Sequence, residues 1–126
     1  MEGDEVTVYE AVGGQPFFDD LVHRFYLAVA GDPVLRPLYP EDMGPGERHL
    51  ALFLGQYWGG PTTYSDQRGH PRLRMRHAPF AVGRAERDAW YGHMSEAVVA
   101  SGAPPEVVDR LLEYFAMAAD HMVNES

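Results

Sequence analysis

Apolar residues recur at steps of three and four in separate stretches of the chain, and glycine or proline cuts each stretch off. No stretch alternates with the period of two that a half-buried strand needs. In residues 16–30 the apolar positions are Phe17, Phe18, Leu21, Val22, Phe25, Tyr26 and Val29, which leaves Asp19, Asp20, His23 and Arg24 for solvent. Residues 46–58 carry Leu50, Phe53, Leu54, Tyr57 and Trp58 and stop at Gly59-Gly60-Pro61. Residues 84–100 put Trp90, Met94, Ala97 and Val98 on one side. A last helix opens at Pro104-Pro105 and runs Val107, Val108, Leu111, Leu112, Phe115, Ala119, Met122, with Glu106 and Asp109 in the first turn, where the helix dipole favours acid. A short helix near residues 9–12, ended by Gly13-Gly14, and one turn at 34–38, ended by Pro40, complete the pattern. The chain reads as one all-α domain over residues 1–126, with no internal repeat.

Between the two helical pairs lies a Gly-, Pro- and Arg-rich stretch, residues 59–83, with room for one helical turn near 73–78. Irregular segments of that length are uncommon in a small domain unless they have a function. The predicted architecture is therefore two hairpins packed across each other around a functional loop. Cysteine is absent, which excludes disulfides, thiolate catalysis, iron–sulfur clusters and cysteine zinc sites. No apolar run approaches the ~20 residues of a membrane span, and no secretory leader is recognisable, so a cytoplasmic protein is expected. The net charge of −9 repels nucleic acid and anionic membrane, and neither is expected as a partner. All ten basic residues are arginine, and six of them (Arg68, Arg72, Arg74, Arg76, Arg84, Arg87) fall in the short span 68–87, which points to a specific anion.

Inside that span runs Gly69-His70-Pro71-Arg72-Leu73-Arg74-Met75-Arg76-His77-Ala78-Pro79-Phe80. Imidazole is the commonest side-chain metal ligand, and guanidinium pairs with carboxylate in a planar, bidentate way. His77 among arginines and beside Phe80 thus suits a flat apolar disc with a metal at its centre and carboxylates on its edge. A basic surface loop with an incidental histidine reads equally well from the segment alone. The stripes are rich in aromatics (Phe25, Tyr26, Phe53, Tyr57, Trp58, Trp90, Phe115) and isoleucine is absent, which suits a conjugated ligand but also an ordinary core. Tyr26, Tyr39 and Trp90 carry donors that need partners when buried, either a small polar ligand in one cavity or separate backbone carbonyls. His23, His49, His93 and His121 lie on polar faces or between stripes and read as solvated or structural. His70 precedes a proline and cannot share a helix face with His77, so a two-histidine zinc site lacks its other ligands.

The chain resembles a group II truncated haemoglobin, a two-over-two globin of the bacterial and plant type. The residues that carry the resemblance are Ala11-Val12-Gly13-Gly14, Arg24-Phe25-Tyr26, Leu38-Tyr39-Pro40-Glu41-Asp42, Phe53-Leu54, Gln56-Tyr57-Trp58-Gly59-Gly60-Pro61, Tyr64-Ser65, the run from Gln67 to Phe80, and Glu86-Arg87-Asp88-Ala89-Trp90. The resemblance implies a truncated-globin fold around haem b, with His77 as the proximal iron ligand and Tyr26, Tyr39 and Trp90 as distal hydrogen-bond donors. It implies that Leu50, Phe53, Leu54, Phe80 and Met94 line the haem and that Arg76, with Tyr64 and His70, meets the propionates. It further implies that Gly46 takes the place of the distal histidine of many globins, which would leave a side entrance for ligands.

That set of donors implies reversible binding of dioxygen and other diatomic ligands with slow release. Such a pocket favours ligand chemistry, as in nitric oxide oxidation or peroxide reduction, over transport. A catalytic cycle of that kind would draw on an electron donor outside these residues, and a homodimer is compatible with the sequence. The competing expectation is a cofactor-free helical interaction module, its aromatics plain core and its arginines gripping an acidic partner.

Overall fold

Helix α1 (Val8–Ala11) begins on a reciprocal cap. Thr7 Oγ1 accepts from the Glu10 amide at 3.1 Å, and the Glu10 carboxylate accepts from the Thr7 amide at 3.3 Å. In the computed structural model, which describes residues 6–68 and 82–123, five further α-helices follow. These are α2 (Gln15–Ala30), α3 (Gly44–Tyr57), α4 (Thr63–Arg68), α5 (Arg84–Ala100) and α6 (Pro105–Met122). A 3₁₀ turn, Arg36–Leu38, lies between α2 and α3. There is no strand among the described residues.

The predicted stripes are the buried faces. Phe18, Leu21, Val22, Phe25, Tyr26 and Val29 of α2 are buried, as are Val107, Leu111, Phe115, Ala119 and Met122 of α6. Fully burying a side chain of the Val, Leu or Phe kind contributes ~1.5–3 kcal/mol, so this shared interior outweighs any single surface pair. Helix α2 packs on α3 and α5 on α6, and α2 joins the two pairs by also packing on α5. The pairs form the two-over-two arrangement.

Polar ties set the pairs in place. Asp32 caps the turn after α2, its Oδ1 accepting from Val34 N at 2.7 Å and Leu35 N at 3.3 Å, while its Oδ2 lies 2.6 Å from His93 Nε2 on α5. Arg87 of α5 donates to Asp120 of α6 at 2.8 Å. The Tyr9 amide donates to the Trp58 carbonyl at 2.9 Å, which ties α1 to the end of α3. There the chain turns through Gly59 at φ +113°, and a Cβ at that residue would stand 2.6 Å from Thr7 Cβ, so only glycine fits.

The structure departs from the sequence reading at three places. Helix α3 starts at Gly44, because Pro45 is preorganised for a first turn. Helix α4 occupies part of the stretch expected to be irregular. Six residues cannot hold a helix alone, and Gln56 of α3 supplies what local propensity lacks, donating to Ser65 Oγ at 2.7 Å and accepting from Ser65 N at 3.0 Å. Tyr57, expected on the inward stripe, is 51% exposed at the last position of α3. The turn expected near residues 73–78 lies outside the described residues.

Candidate functional site

Tyr26 reaches its position from the second half of α2, on the stripe that also buries Phe25 and Val29. Tyr39 comes from the connection that follows the 3₁₀ turn, and its placement is a backbone matter. Arg36 donates from Nη1 to the carbonyls of Tyr39 (3.2 Å) and Pro40 (3.1 Å), and from Nη2 to that of Glu41 (3.2 Å). Bonds from a charged donor are the stronger kind, and three of them from one guanidinium hold the turn. The Tyr26 and Tyr39 rings meet edge to face, 5.6 Å between centroids at 81°. Trp90 of α5 closes the group from the other helical pair, its ring 5.5 Å from that of Phe25.

Trp90 donates a side-chain hydrogen bond to Tyr39; an indole can only donate. The Tyr39 hydroxyl therefore keeps its own proton for a further acceptor. Burial pushes the Tyr39 hydroxyl well above the ordinary tyrosine range, and the adjacent Tyr26 adds to the rise, against the opposing Trp90 bond. Burial pushes Tyr26 up to about 12, with the Glu47 carboxylate adding to it. Both phenols thus remain donors at neutral pH. Gly46, exposed in the first turn of α3, abuts this corner: a Cβ there would stand 3.1 Å from Tyr26 Oη. Beside it, Glu47 Oε2 lies 2.9 Å from His23 Nδ1 of α2, which links the two helices at the rim.

The other predicted residues divide by location. Phe53, Leu54 and Met94 are buried, with Met94 wholly so, and Leu50 is half-buried against the same core. Tyr64 of α4 is buried with its ring 5.4 Å from that of Phe53. The structure therefore brings Tyr26, Tyr39, Trp90 and Gly46 together and puts Phe53 beside Tyr64. His77, His70, Arg76 and Phe80 lie outside the described residues.

Sequence reasoning missed two contributors. Glu47 acts on Tyr26 and pairs with His23, and the signal was present, since His23 precedes Tyr26 by one helical turn. Arg36 gave no signal, because its partners are backbone carbonyls that every residue type carries. Among the described residues no group of three or more His, Cys, Asp or Glu could hold a metal ion, and no helix is long and apolar enough to cross a membrane.

The arrangement is a small desolvated corner with two phenol protons and the exposed Gly46 packed close against one of them. It suits a small acceptor ligand. The sequence model of the bacterial-like globin family matches residues 7–124. The group 2 truncated hemoglobin YjbI of Bacillus subtilis (strain 168) is 39% identical over 118 residues, covering 94% of this chain and 89% of its own. The crystal structure of a hemoglobin from the thermophilic phototrophic bacterium Chloroflexus aurantiacus superposes with a TM-score of 0.94 at 51% identity, covering 96% of this chain and 100% of that one. The thermostable hemoglobin of the actinobacterium Thermobifida fusca superposes with a TM-score of 0.91 at 57% identity, covering 94% and 98%. The chain belongs to the bacterial-like globin family, as a truncated haemoglobin of group II.

Proposed function

We propose that this chain holds haem b through His77 and binds dioxygen and other diatomic ligands beside a distal network of Tyr26, Tyr39 and Trp90. Haem is the cofactor of this family, and it supplies the iron that takes the ligand. The observation that carries the reading is the convergence of the Tyr26 and Tyr39 rings, 5.6 Å apart, on a corner where a Cβ at Gly46 would meet Tyr26 Oη at 3.1 Å. Two protonated phenols beside an open, exposed glycine fit a ligand pocket with a way in. They do not fit a sealed core.

In this reading Leu50, Phe53, Leu54, Phe80 and Met94 provide apolar walls. Arg76, Tyr64 and His70 meet the propionates, and Gly46 marks the entrance. Tyr26 donates from α2, and Tyr39 donates while accepting from Trp90. Trp90 thereby acts through Tyr39 as well as by closing the wall. Each hydrogen bond to a charged acceptor contributes ~1.5–3 kcal/mol, roughly tenfold to a hundredfold in an equilibrium constant. Release is therefore slow, and the pocket suits nitric oxide or peroxide chemistry, with electrons from an outside donor, better than oxygen shuttling.

The test is optical. Haemin added to the purified chain produces a Soret band, and the reduced protein gives a histidine-ligated ferrous spectrum. His77→Ala loses that spectrum, and added imidazole restores it. A variant that keeps the spectrum moves the ligand to another residue, and a chain that stays colourless with haemin ends the proposal.

A further inference from the structure

A second cleft shares no residue with the distal corner. It is formed by residues 6–8, by residues 57–59 at the end of α3, and by Arg110 of α6. Its floor is aromatic and its rim is cationic. Tyr57 is 51% exposed there, and the Arg110 guanidinium lies 5.4 Å from the centre of the Trp58 ring. Arg110 is in no ion pair among the described residues. It is free to meet an anion from solution.

A continuous line of rings leads inward from this cleft. Tyr57 lies 4.5 Å from Tyr114, Tyr114 5.2 Å from Phe115, and Phe115 6.0 Å from Trp90, centre to centre. The two oxidisable rings at the inner end, Tyr114 and Trp90, are thus bridged by one phenyl group. At the outer end the environment selects between Tyr57 and Trp58. The Trp58 indole N–H is buried and has no hydrogen-bond partner among the described residues, so nothing takes its proton if the ring loses an electron. Arg110 over that ring also opposes positive charge on it. The half-exposed Tyr57 can release its hydroxyl proton to water.

We propose that this cleft is a surface oxidation site for small phenols bearing a carboxylate, with Arg110 holding the carboxylate and electrons passing from Tyr57 through Tyr114 and Phe115 to Trp90. The inference rests on the haem reading above, since it supplies the outside donor which that reading requires. Hydrogen peroxide in the distal pocket is the oxidant. Its O–O bond breaks as it takes up two electrons and two protons, giving two waters. Two phenol molecules each lose one electron and one hydroxyl proton, giving two phenoxyl radicals. Tyr57 cycles between phenol and neutral radical, returning its proton to solvent and regaining it from the donor.

Haem-loaded protein is treated with hydrogen peroxide and a nitroso spin trap, and the adducts are located by peptide mass spectrometry alongside freeze-quench electron paramagnetic resonance. The expected result is a tyrosyl signal with the adduct on Tyr57. In Tyr114→Phe, which keeps the ring but not its ease of oxidation, the Tyr57 adduct is lost while the Soret band stays. With para-hydroxybenzoate as reducing substrate, Arg110→Gln raises KM several-fold at constant kcat, as loss of an exposed ion pair would. The same variant leaves the neutral para-hydroxybenzyl alcohol unaffected. A Tyr57 adduct that persists in Tyr114→Phe, or a KM indifferent to Arg110, overturns the proposal and leaves the haem reading standing. A protein without a Soret band overturns both.

Discussion

Two tyrosines and a tryptophan come together twice in this chain. At one place they are Tyr26, Tyr39 and Trp90, and at the other Tyr57, Tyr114 and Trp58, with Phe115 touching Trp90 on one side and Tyr114 on the other. In the first group the indole N–H has a phenol to donate to, and in the second it has no partner among the described residues. The first sets the Tyr26 hydroxyl close against the exposed Gly46, whereas the second leaves Tyr57 half in solvent beside an arginine. Identical residue types therefore take opposite duties. In the proposed reading, the desolvated hydroxyls of the first group offer protons, and the half-exposed phenol of the second, backed by tilted and edge-on rings, gives up an electron.

The comparison is most exposed to a phenol-to-phenyl exchange made in each group. Tyr26→Phe should raise the oxygen dissociation rate roughly tenfold to a hundredfold, the loss of one hydrogen bond to a charged acceptor. Tyr57→Phe should leave that rate where it is. Stopped-flow release measures both, and equal effects would erase the distinction between the groups.

Trp90→Phe sharpens the first group. Its N–H goes to Tyr39, so the same measurement should give an acceleration of only severalfold, below that of Tyr26→Phe. An effect as large as that of Tyr26→Phe would mean that the indole donates to the ligand itself.

Alkaline unfolding probes both groups together. Tyr26, Tyr39 and Tyr114 all have folded-state pKa values raised by burial. A raised value means that the fold prefers the neutral phenol. This contribution is complete below about 10, where an unfolded tyrosine ionises, and it drains away as pH rises towards the folded value, about 12 for Tyr26. Urea midpoints should fall steeply over that window, and Tyr114→Phe should flatten part of the fall. A midpoint independent of pH there would contradict the burial.

Gly46→Ala carries the smallest expected change. Alanine gains ~0.4–1 kcal/mol over glycine where the backbone is compatible, but its methyl would press on Tyr26 Oη from 3.1 Å. Thermal unfolding should therefore barely shift, while carbon monoxide association, followed by flash photolysis, should slow as the gap narrows. Unchanged association would place the entrance elsewhere.

Most of the helical frame is legible in the sequence, because stripes of three and four are set by the pitch of the helix. Residues 84–100 match α5 from end to end. Tertiary stitching is not legible there. Helix α4 exists because the side chain of Gln56 reaches Ser65, and Tyr39 sits where it does because Arg36 takes three carbonyls. Neither arrangement leaves a periodic trace. In the candidate site, residue types suggest that Tyr26, Tyr39 and Trp90 gather. They do not reveal that Trp90 is engaged by Tyr39, since the direction of a hydrogen bond depends on a rotamer. Tyr57 misleads for a related reason: a position at the end of a stripe can lie past the neighbour that would have covered it.

Helix α3 has an unusual reach. Its first turn carries the glycine against the Tyr26 hydroxyl, and near its last turn Gln56 pins the short helix from which the chain departs towards His77. A sideways slip of this rod would move the proposed doorway and the root of the segment bearing the iron's expected partner in a single stroke. Entry and grip would then be tuned as one mechanical variable, with the amide of a glutamine as its coupling pin.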